Sequence, residues 1–216
     1  ALSQREKRVL AIDVDPQSSL TIYYGYDPRR LEEEEKTLYH ALIKDRDLKD
    51  LILDPSDSKP GLVPSSIRLA SAEPELVSLW ESAGVLREKL EGIKNHYDFI
   101  LLDCPPSLTL LTINALASAH HLLIPVKTDY LSIMGIQLFL ETVGKIQQKA
   151  NRDLSVLGVL PTMLSARSST SNSSSSKKGI CTPKWGQCRC RGGVVIRRAR
   201  RDAAWRCRSP RWCRAT

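Results

Sequence analysis

Four short apolar segments with the pattern of buried strands constrain the fold of this chain more than any other feature. They cover residues 8–12, 99–102, 122–126 and 156–160. Helical spacing of apolar residues marks the stretches 73–90, 108–119 and 133–149 between them. Strands that are apolar on both faces and alternate with helices belong to parallel sheets covered on both sides. The sequence therefore predicts a doubly wound α/β fold, with a mostly parallel sheet and helices on both faces.

Charge and cysteine content divide the chain into two parts. Residues 1–167 hold 19 Lys/Arg and 23 Asp/Glu, whereas residues 168–216 hold 13 Lys/Arg and one acid. Five of the six cysteines and three of the four tryptophans also lie in the second part. We therefore expect a domain over residues 1–164, followed by a tail rich in Ser, Arg, Cys and Trp over residues 165–216.

The tail allows three interpretations. A basic arm would bind nucleic acid by neutralising phosphates without a fold of its own. A zinc site would use the cysteines, although they lack the paired CxxC spacing of zinc knuckles. A shifted reading frame would explain why composition changes so abruptly near Leu164. We expect no packed domain after about Ser165, with Trp185, Trp205 and Trp212 exposed and no cluster of cysteines at zinc-binding distances.

Aspartates follow two of the apolar segments, at Asp13 and Asp103. Ligands of parallel sheets bind outside the carboxyl ends of the strands, so we expect the two carboxylates to lie close together. Asp15 stands two residues after Asp13, a spacing that puts both on one side of an extended strand. Mg²⁺ requires hard oxygen ligands of this kind. A magnesium–nucleotide site is one interpretation, and capping of the following helices is the other.

Several segments together resemble the ParA/Soj family of partition ATPases. Residues 13–17, Asp-Val-Asp-Pro-Gln, resemble its switch I segment, and residues 101–107, Leu-Leu-Asp-Cys-Pro-Pro-Ser, resemble its Walker B and switch II segment. Residues 124–130 and 158–163 are similar to two later stretches of the family, in the same order. MinD relatives usually have a different segment after the first aspartates, so Gln17 favours the partition branch. The resemblance covers about the first 163 residues.

The resemblance implies ATP and Mg²⁺ as cofactors and assigns roles to individual residues. Asp15 would position or activate the attacking water as the catalytic residue. Asp13 and Asp103 would be the metal residues, with Asp103 holding Mg²⁺ through water. Asp13, Gln17 and Pro105 would lie at the nucleotide.

The family resemblance also implies partners and a location. Its members act in chromosome or plasmid partitioning as homodimers that form on ATP, bind DNA non-specifically and respond to a ParB-like partner. The expected location is therefore the cytoplasm, at the nucleoid. A membrane is not expected, because the sequence contains neither an apolar run of roughly 20 residues nor a signal-peptide pattern.

The family's phosphate-binding loop, KGGVGKTT, has no counterpart within these 216 residues. Residues 1–7 resemble only the last turn of the helix that follows this loop in the family. We therefore expect an N-terminally truncated member in which ATP binding is impaired, and the resemblance leaves open whether the chain is an enzyme. The alternative function is that of a non-enzymatic remnant or a basic nucleic-acid-binding protein.

Overall fold

The computed structural model describes residues 2, 5–54, 59–77, 83–127, 130–162 and 193–198 of the 216-residue chain. The strands in these ranges are β1 (Val9–Asp13), β2 (Gly61–Val63), β3 (Phe99–Cys104), β4 (His121–Lys127), β5 (Ser155–Thr162) and β6 (Gly193–Arg198). The α-helices are α1 (Ser19–Tyr23), α2 (Pro28–Glu33), α3 (Leu38–Ile43), α4 (Ala72–Val77), α5 (Val85–Glu91), α6 (Leu110–Ser118) and α7 (Tyr130–Lys149). Short 3₁₀ helices cover Leu48–Leu51, Ile67–Ser71 and Lys94–His96.

The strands form one six-stranded sheet in the order β2-β1-β3-β6-β4-β5. β1 is parallel to β2 and β3, and β4 is parallel to β5, whereas β6 runs antiparallel to both of its neighbours. The mostly parallel α/β fold expected from the sequence is therefore confirmed. The four predicted strands correspond to β1, β3, β4 and β5, with bounds that differ by one or two residues.

Strand β6 is a feature that the sequence analysis did not anticipate. It comes from the basic tail, yet it pairs with β3 over six residues and with β4 over three. The prediction of no packed domain after about Ser165 did not foresee that Gly193–Arg198 pairs with strands of the preceding domain. The predictions for Trp185, Trp205 and Trp212, and for a cysteine cluster in the tail, concern positions outside the described residues.

Strand β1 lies in the interior of the sheet, and its composition explains this position. All five of its residues are buried, so both faces of the sheet are covered there. Burial of a large aliphatic side chain contributes about 1.5–3 kcal/mol, which makes Leu10 and Ile12 major sources of stability. The amino end of β1 is tied to β3 because the Arg8 N–H donates to Asp98 Oδ2 at 3.0 Å and the Arg8 carbonyl accepts from the Asp98 N–H at 2.8 Å.

The helices agree with the predicted ones at two of three places. α6 and α7 match the stretches 108–119 and 133–149, although Leu138, expected on the buried stripe of α7 with Val143 and Ile146, is 67% exposed. The stretch 73–90 is not one helix, since a turn at residues 83–84 lies between α4 and α5. Glycine has low helix propensity, which favours this break. None of the helices in the described part of the chain is both long and apolar enough to cross a membrane.

Candidate functional site at the carboxyl edge of the sheet

The register of two strands brings Asp13 and Asp103 side by side. β1 and β3 pair in parallel from Val9 opposite Phe99 to Asp13 opposite Asp103. The ladder continues one step further, because the Val14 N–H donates to the Asp103 carbonyl at 2.8 Å. The expectation that the two aspartates meet at one edge of the sheet is therefore confirmed.

The carboxylate of Asp13 is buried and accepts three hydrogen bonds. Its Oδ2 accepts from the N–H and from the hydroxyl of Thr21, at 2.8 and 2.7 Å, and its Oδ1 accepts from the Asp15 N–H at 3.2 Å. Burial raises the pKa of Asp13 to about 6, and the hydrogen bonds from Thr21 and Asp15 partly oppose this rise. Asp13 therefore anchors α1 to the end of β1, which resembles the capping role left open by the sequence.

Thr21 is a site residue that the sequence analysis missed. Its hydroxyl donates to Asp13 and accepts from the Ser65 N–H at 2.9 Å. Thr21 and Ser65 are both fully buried, and Ser65 lies in the segment that follows β2. One hydroxyl thus joins β1, α1 and the end of β2. The signal available in the sequence, a threonine eight residues after an aspartate, is too common to identify such a contact.

Replacing Thr21 with Val should lower the free energy of unfolding by about 2 kcal/mol, because a buried hydrogen-bonding group left without its partner costs about 1–3 kcal/mol. Valine has nearly the shape of threonine but supplies neither the donor for Asp13 nor the acceptor for Ser65. Urea denaturation monitored by circular dichroism measures the change. The matched control is Thr142→Val on α7, where the hydroxyl donates to the Leu138 carbonyl, and its effect should stay below about 0.5 kcal/mol. Equal effects of the two variants would contradict the role given to Thr21.

Asp15 lies in the loop after β1, not in the strand. Its Oδ1 accepts from the Gln17 N–H at 2.9 Å, and its carbonyl accepts from the Ser18 N–H at 2.9 Å. Ser18 has a left-handed backbone with φ of 55°, which closes the turn. The argument from strand alternation does not apply, because β1 ends at Asp13. The carboxylate of Asp15 is partly exposed and the side chain of Gln17 is exposed, so both are accessible at this edge.

Asp103 differs from Asp13 in its hydrogen bonding. It is partly exposed, and no donor within the described ranges reaches its carboxylate. Burial, followed by the negative charges of Asp13 and Asp15, raises the pKa of Asp103 to about 7. A carboxylate that is crowded by like charges and accepts no hydrogen bond from the described residues fits a cation. Asp103 thus suits Mg²⁺, which binds through one or two carboxylates together with waters and phosphates.

The described residues do not form a complete metal site by themselves. Within them, no three His, Cys, Asp or Glu side chains are grouped closely enough to hold an ion. Mg²⁺ in nucleotide sites usually takes its remaining ligands from water and from phosphate oxygens. The donor set of this edge therefore fits a metal that arrives with a nucleotide better than a permanently bound structural ion.

The segment after Asp103 is held by packing. Cys104 is buried, and burial together with the neighbouring aspartates raises the pKa of its thiol well above the usual range, so the thiol stays protonated and unreactive. Pro105 is buried, whereas Pro106 and Ser107 are exposed. The Thr112 hydroxyl donates to the Ser107 carbonyl at 2.7 Å, which ties this loop to α6. The predicted contact of Pro105 with a nucleotide stays a prediction.

A polar cavity of about 260 Å³ lies at the opposite edge of the sheet. Its lining includes residues 118–120, which precede β4, and residues 150–153, which precede β5. The Asn151 amide donates to the carbonyls of Leu116 and Ala119, at 2.9 and 2.6 Å, and so links the segment before β5 to the end of α6. The cavity is far from the aspartates in the fold and shares no residue with them.

The sequence of the chain is similar to one family model and to several chromosome-partitioning proteins. The family model AAA_31, described as an AAA domain, matches residues 1–156. The sporulation initiation inhibitor protein Soj of Bacillus subtilis is 41% identical over 161 residues, which are 74% of this chain and 62% of that protein. The chromosome partitioning protein ParA of Myxococcus xanthus is 35% identical, over 77% of this chain and 58% of that protein. The chain thus spans about three fifths of the length of these curated relatives.

Solved structures agree with the sequence relatives. Cobyrinic acid a,c-diamide synthase from Mycobacterium smegmatis, with bound ADP and magnesium, superposes with a TM-score of 0.72 at 34% identity, over 77% of this chain and 66% of that one. Apo McdA from Cyanthece superposes with a TM-score of 0.67 at 32% identity, over 74% and 62% of the two chains.

Proposed function

The chain belongs to the ParA/Soj family of P-loop ATPases. We propose that it forms the part of such an ATPase that carries the switch I and Walker B segments, and that this ATPase acts in chromosome or plasmid partitioning. One observation of this chain carries the proposal. Asp13 and Asp103 stand opposite each other in the β1–β3 ladder, with the loop of Asp15 beside them. This is the arrangement that the family resemblance requires of the switch I and Walker B segments.

The residues at this edge have distinct tasks in the proposed reaction. Asp103, which accepts no hydrogen bond from the described residues, would hold Mg²⁺ through water. Asp13 would support the ligand shell of Mg²⁺. Its own carboxylate oxygens accept hydrogen bonds from Thr21 and Asp15. Asp15 would orient the attacking water, and Gln17 and Pro105 would lie at the nucleotide. Mg²⁺ bound with ATP supplies charge neutralisation, which with positioning provides most of the catalysis in phosphoryl transfer.

In a chain joined to an N-terminal segment that bears KGGVGKTT, Asp15→Ala should lower kcat for ATP hydrolysis by about 100-fold or more and leave KM nearly unchanged. Groups that position or deprotonate a reacting water contribute about 10²–10⁴-fold, mostly in the transition state. Phosphate release under saturating Mg²⁺ measures the rate. Asp50→Asn, at an exposed carboxylate of a 3₁₀ helix, is the matched control. Hydrolysis at the unsubstituted rate by the Asp15 variant would contradict the proposal.

The partners of the protein follow from the same proposal. We propose an ATP-dependent homodimer that binds DNA non-specifically, releases it after hydrolysis and responds to a ParB-like partner. The location consistent with these partners is the cytoplasm, at the nucleoid. The relatives named for chromosome partitioning support this set of partners.

The alternative proposal is a non-enzymatic protein that binds nucleic acid through its basic tail. The 13 Lys/Arg residues and single acid of residues 168–216 favour this activity. A charge excess of this size attracts any polyanion, so DNA binding alone would not demonstrate a biological role.

Binding of the chain to a short DNA duplex should weaken at least about tenfold between 50 and 200 mM salt, because neutralising several phosphates releases counterions. Fluorescence anisotropy of a labelled duplex at a series of salt concentrations measures the slope. Replacing Arg200, Arg201, Arg206 and Arg208 with Gln should flatten it. An affinity that does not change with salt, or a slope unaffected by these substitutions, would exclude the tail as the DNA contact.

A further inference from the structure

Helix α3 begins with an N-terminal cap that depends on a histidine. Thr37 is the N-cap residue of α3, and His40 is the third residue of the helix. The Nδ1 atom of His40 accepts from the Thr37 N–H at 3.4 Å and lies 3.0 Å from the Thr37 hydroxyl oxygen. Glu or Gln usually makes this contact, through an oxygen that still accepts near neutral pH. Histidine differs, because its accepting nitrogen also binds a proton in that range.

The contacts of His40 define the form of its imidazole ring. Because a backbone N–H can only donate, Nδ1 accepts in the capped arrangement, and the proton of the neutral ring lies on Nε2. Nε2 lies 3.7 Å from Glu32 Oε1. Protonation of His40 would turn Nδ1 into a second donor facing the Thr37 N–H. Thr37 is fully buried, so its N–H would lose this partner in a place shielded from water.

His40 is almost completely buried, and several charged groups surround it. They come from α2, from the turns after α2 and α3, and from the 3₁₀ helix Ile67–Ser71, with one further titratable ring packed edge-on: Glu32, Glu35, Arg46, Arg68 and Tyr39. Burial lowers the pKa of His40 below its ordinary value of 6.5; the two glutamates oppose this fall, and the two arginines add to it. The contribution of the neutral ring to stability is therefore fully present above about pH 6.5 and is lost as the pH falls through the lowered pKa.

The same cap holds the segment that follows β2. The Leu38 N–H, in the first turn of α3, donates to the Pro64 carbonyl at 2.8 Å. Glu32 Oε2 accepts from the Thr37 hydroxyl at 3.2 Å and also from the Ser66 hydroxyl. The segment is therefore tied at two points to the residues that begin α3.

Ser65 lies between these two points and connects the segment with the candidate site. Its N–H donates to the Thr21 hydroxyl at 2.9 Å, and that hydroxyl donates to Asp13 Oδ2 at 2.7 Å. The hydroxyl of Ser65 is buried and has no hydrogen-bond partner in the described part of the chain. A buried hydroxyl without a partner costs free energy, which contact with water would return if the segment moved outward. The position of residues 64–66 therefore depends on their contacts with the start of α3.

We propose that the Thr37–His40 cap is a pH-sensitive device that controls the position of residues 64–66 and, through Ser65 and Thr21, the hydrogen bonding of Asp13. With His40 neutral, the cap is formed and the Ser65 N–H reaches Thr21. With His40 protonated, the start of α3 loosens and the contact between Ser65 and Thr21 weakens. The proposal does not depend on ATP hydrolysis, because its readouts are backbone amides of the chain without nucleotide.

Two substitutions of His40 test the cap at pH 7.5 and at pH 4.5. His40→Gln keeps a side-chain acceptor that does not bind a proton, whereas His40→Ala removes the acceptor at any pH. Hydrogen exchange is read by mass spectrometry in peptides covering residues 37–42 and 61–69, after correction for the intrinsic effect of pH on amides. Protection of the unsubstituted chain should match that of His40→Gln at pH 7.5. At pH 4.5 it should be at least about threefold lower, close to that of His40→Ala.

The matched control is His96→Gln, at an exposed position of the 3₁₀ helix Lys94–His96, which should keep the pH dependence. Asp13 and Asp103 also titrate over this range, but they are present in all these chains and do not affect the differences between them. Loss of protection on acidification in the unsubstituted and His96→Gln chains, and not in His40→Gln, supports the proposal. Equal pH dependence in the His40→Gln chain overturns it.

Nuclear magnetic resonance tests the cap with His40 in place. In the ¹⁵N-labelled unsubstituted chain, the Thr37 amide signal should move with the same pH midpoint as the ring nitrogens of His40. In an Asp13→Asn chain, which removes the other titrating group near Ser65, the Ser65 amide should follow His40 as well. A Thr37 signal with a different midpoint overturns the role of the cap. A Ser65 signal that does not follow His40 overturns its connection with the candidate site.

Discussion

Calorimetry of the 216-residue chain with millimolar ATP and Mg²⁺ should detect no binding. The sequence contains no Gly-rich loop followed by Lys and Ser/Thr, and such a loop supplies several hydrogen bonds to phosphate. Each hydrogen bond to a charged group contributes roughly 1.5–3 kcal/mol, whereas micromolar affinity amounts to only about 8 kcal/mol in total. The carboxylates of Asp13, Asp15 and Asp103 repel phosphate unless Mg²⁺ lies between them. Without the loop, the remaining interactions are therefore too weak for measurable affinity.

Joining an N-terminal segment that bears KGGVGKTT should restore Mg²⁺-dependent binding in the micromolar range. The matched control is the same segment with the lysine before the two threonines replaced by alanine, which keeps the length and the glycines but removes the charge. Restoration by the intact segment and not by the control shows that the site at Asp103 is competent. Micromolar binding by the 216-residue chain itself would contradict the argument from the loop.

The topology of the sheet places a condition on this restoration. The family's first strand is central, and a central strand needs a partner on each side. In the described sheet, β1 and β3 are already paired on both sides, and the position between β3 and β4 is held by β6. A first strand supplied by the added segment would therefore have to displace Gly193–Arg198. Competition between the two strands would lower the apparent affinity of the joined chain for ATP by the fraction in which β6 stays in place.

The strands that sequence reasoning identified are those with a sufficiently long apolar run. β1 is buried throughout and β3 at most positions; β1 ends at Asp13, and β3 ends one residue after Asp103. β2 was missed because Gly61–Val63 is too short to show periodicity. β6 was missed because its β-branched run lies among arginines, and composition argued for an unfolded tail. Sequence patterns report local preference, whereas the gap that β6 fills exists only in the assembled sheet.

The candidate site, like the sheet, was only partly predictable from the sequence. That Asp13 and Asp103 meet follows from two parallel strands ending at one edge, and this needed no further information. The contacts of Thr21 with Asp13 and Ser65 depend on a segment 44 residues away, which no local pattern specifies. For the same reason the sequence did not distinguish the two aspartates. Asp13 accepts three hydrogen bonds, whereas Asp103 accepts none from the described residues.

The raised pKa values of Asp103 and Asp13 should make the stability of the folded protein depend on pH. The folded-state pKa of Asp103 is about 7, against an ordinary value of 3.8. A carboxyl group whose pKa is raised by folding binds its proton more tightly in the folded state. Its contribution to stability is therefore fully present below about pH 4 and is lost as the pH rises through 7. Asp13, with a pKa of about 6, adds a smaller fall over a lower range.

Replacing Asp103 with Asn should therefore stabilise the protein above pH 7. A shift of about three pKa units corresponds to about 4 kcal/mol, and the partial exposure of Asp103 reduces the expected gain to about 2 kcal/mol at pH 8. At pH 4 the variant and the unsubstituted chain should be nearly equal, because Asp103 is then protonated and as neutral as Asn. Urea denaturation from pH 4 to 8 in buffer with EDTA measures the two curves, and Asp50→Asn should follow the unsubstituted chain. Parallel curves for the Asp103 variant would show that this carboxylate is not strained in the metal-free fold. Convergence of the two curves at pH 8 on addition of Mg²⁺ would show that the cation relieves the repulsion among Asp13, Asp15 and Asp103.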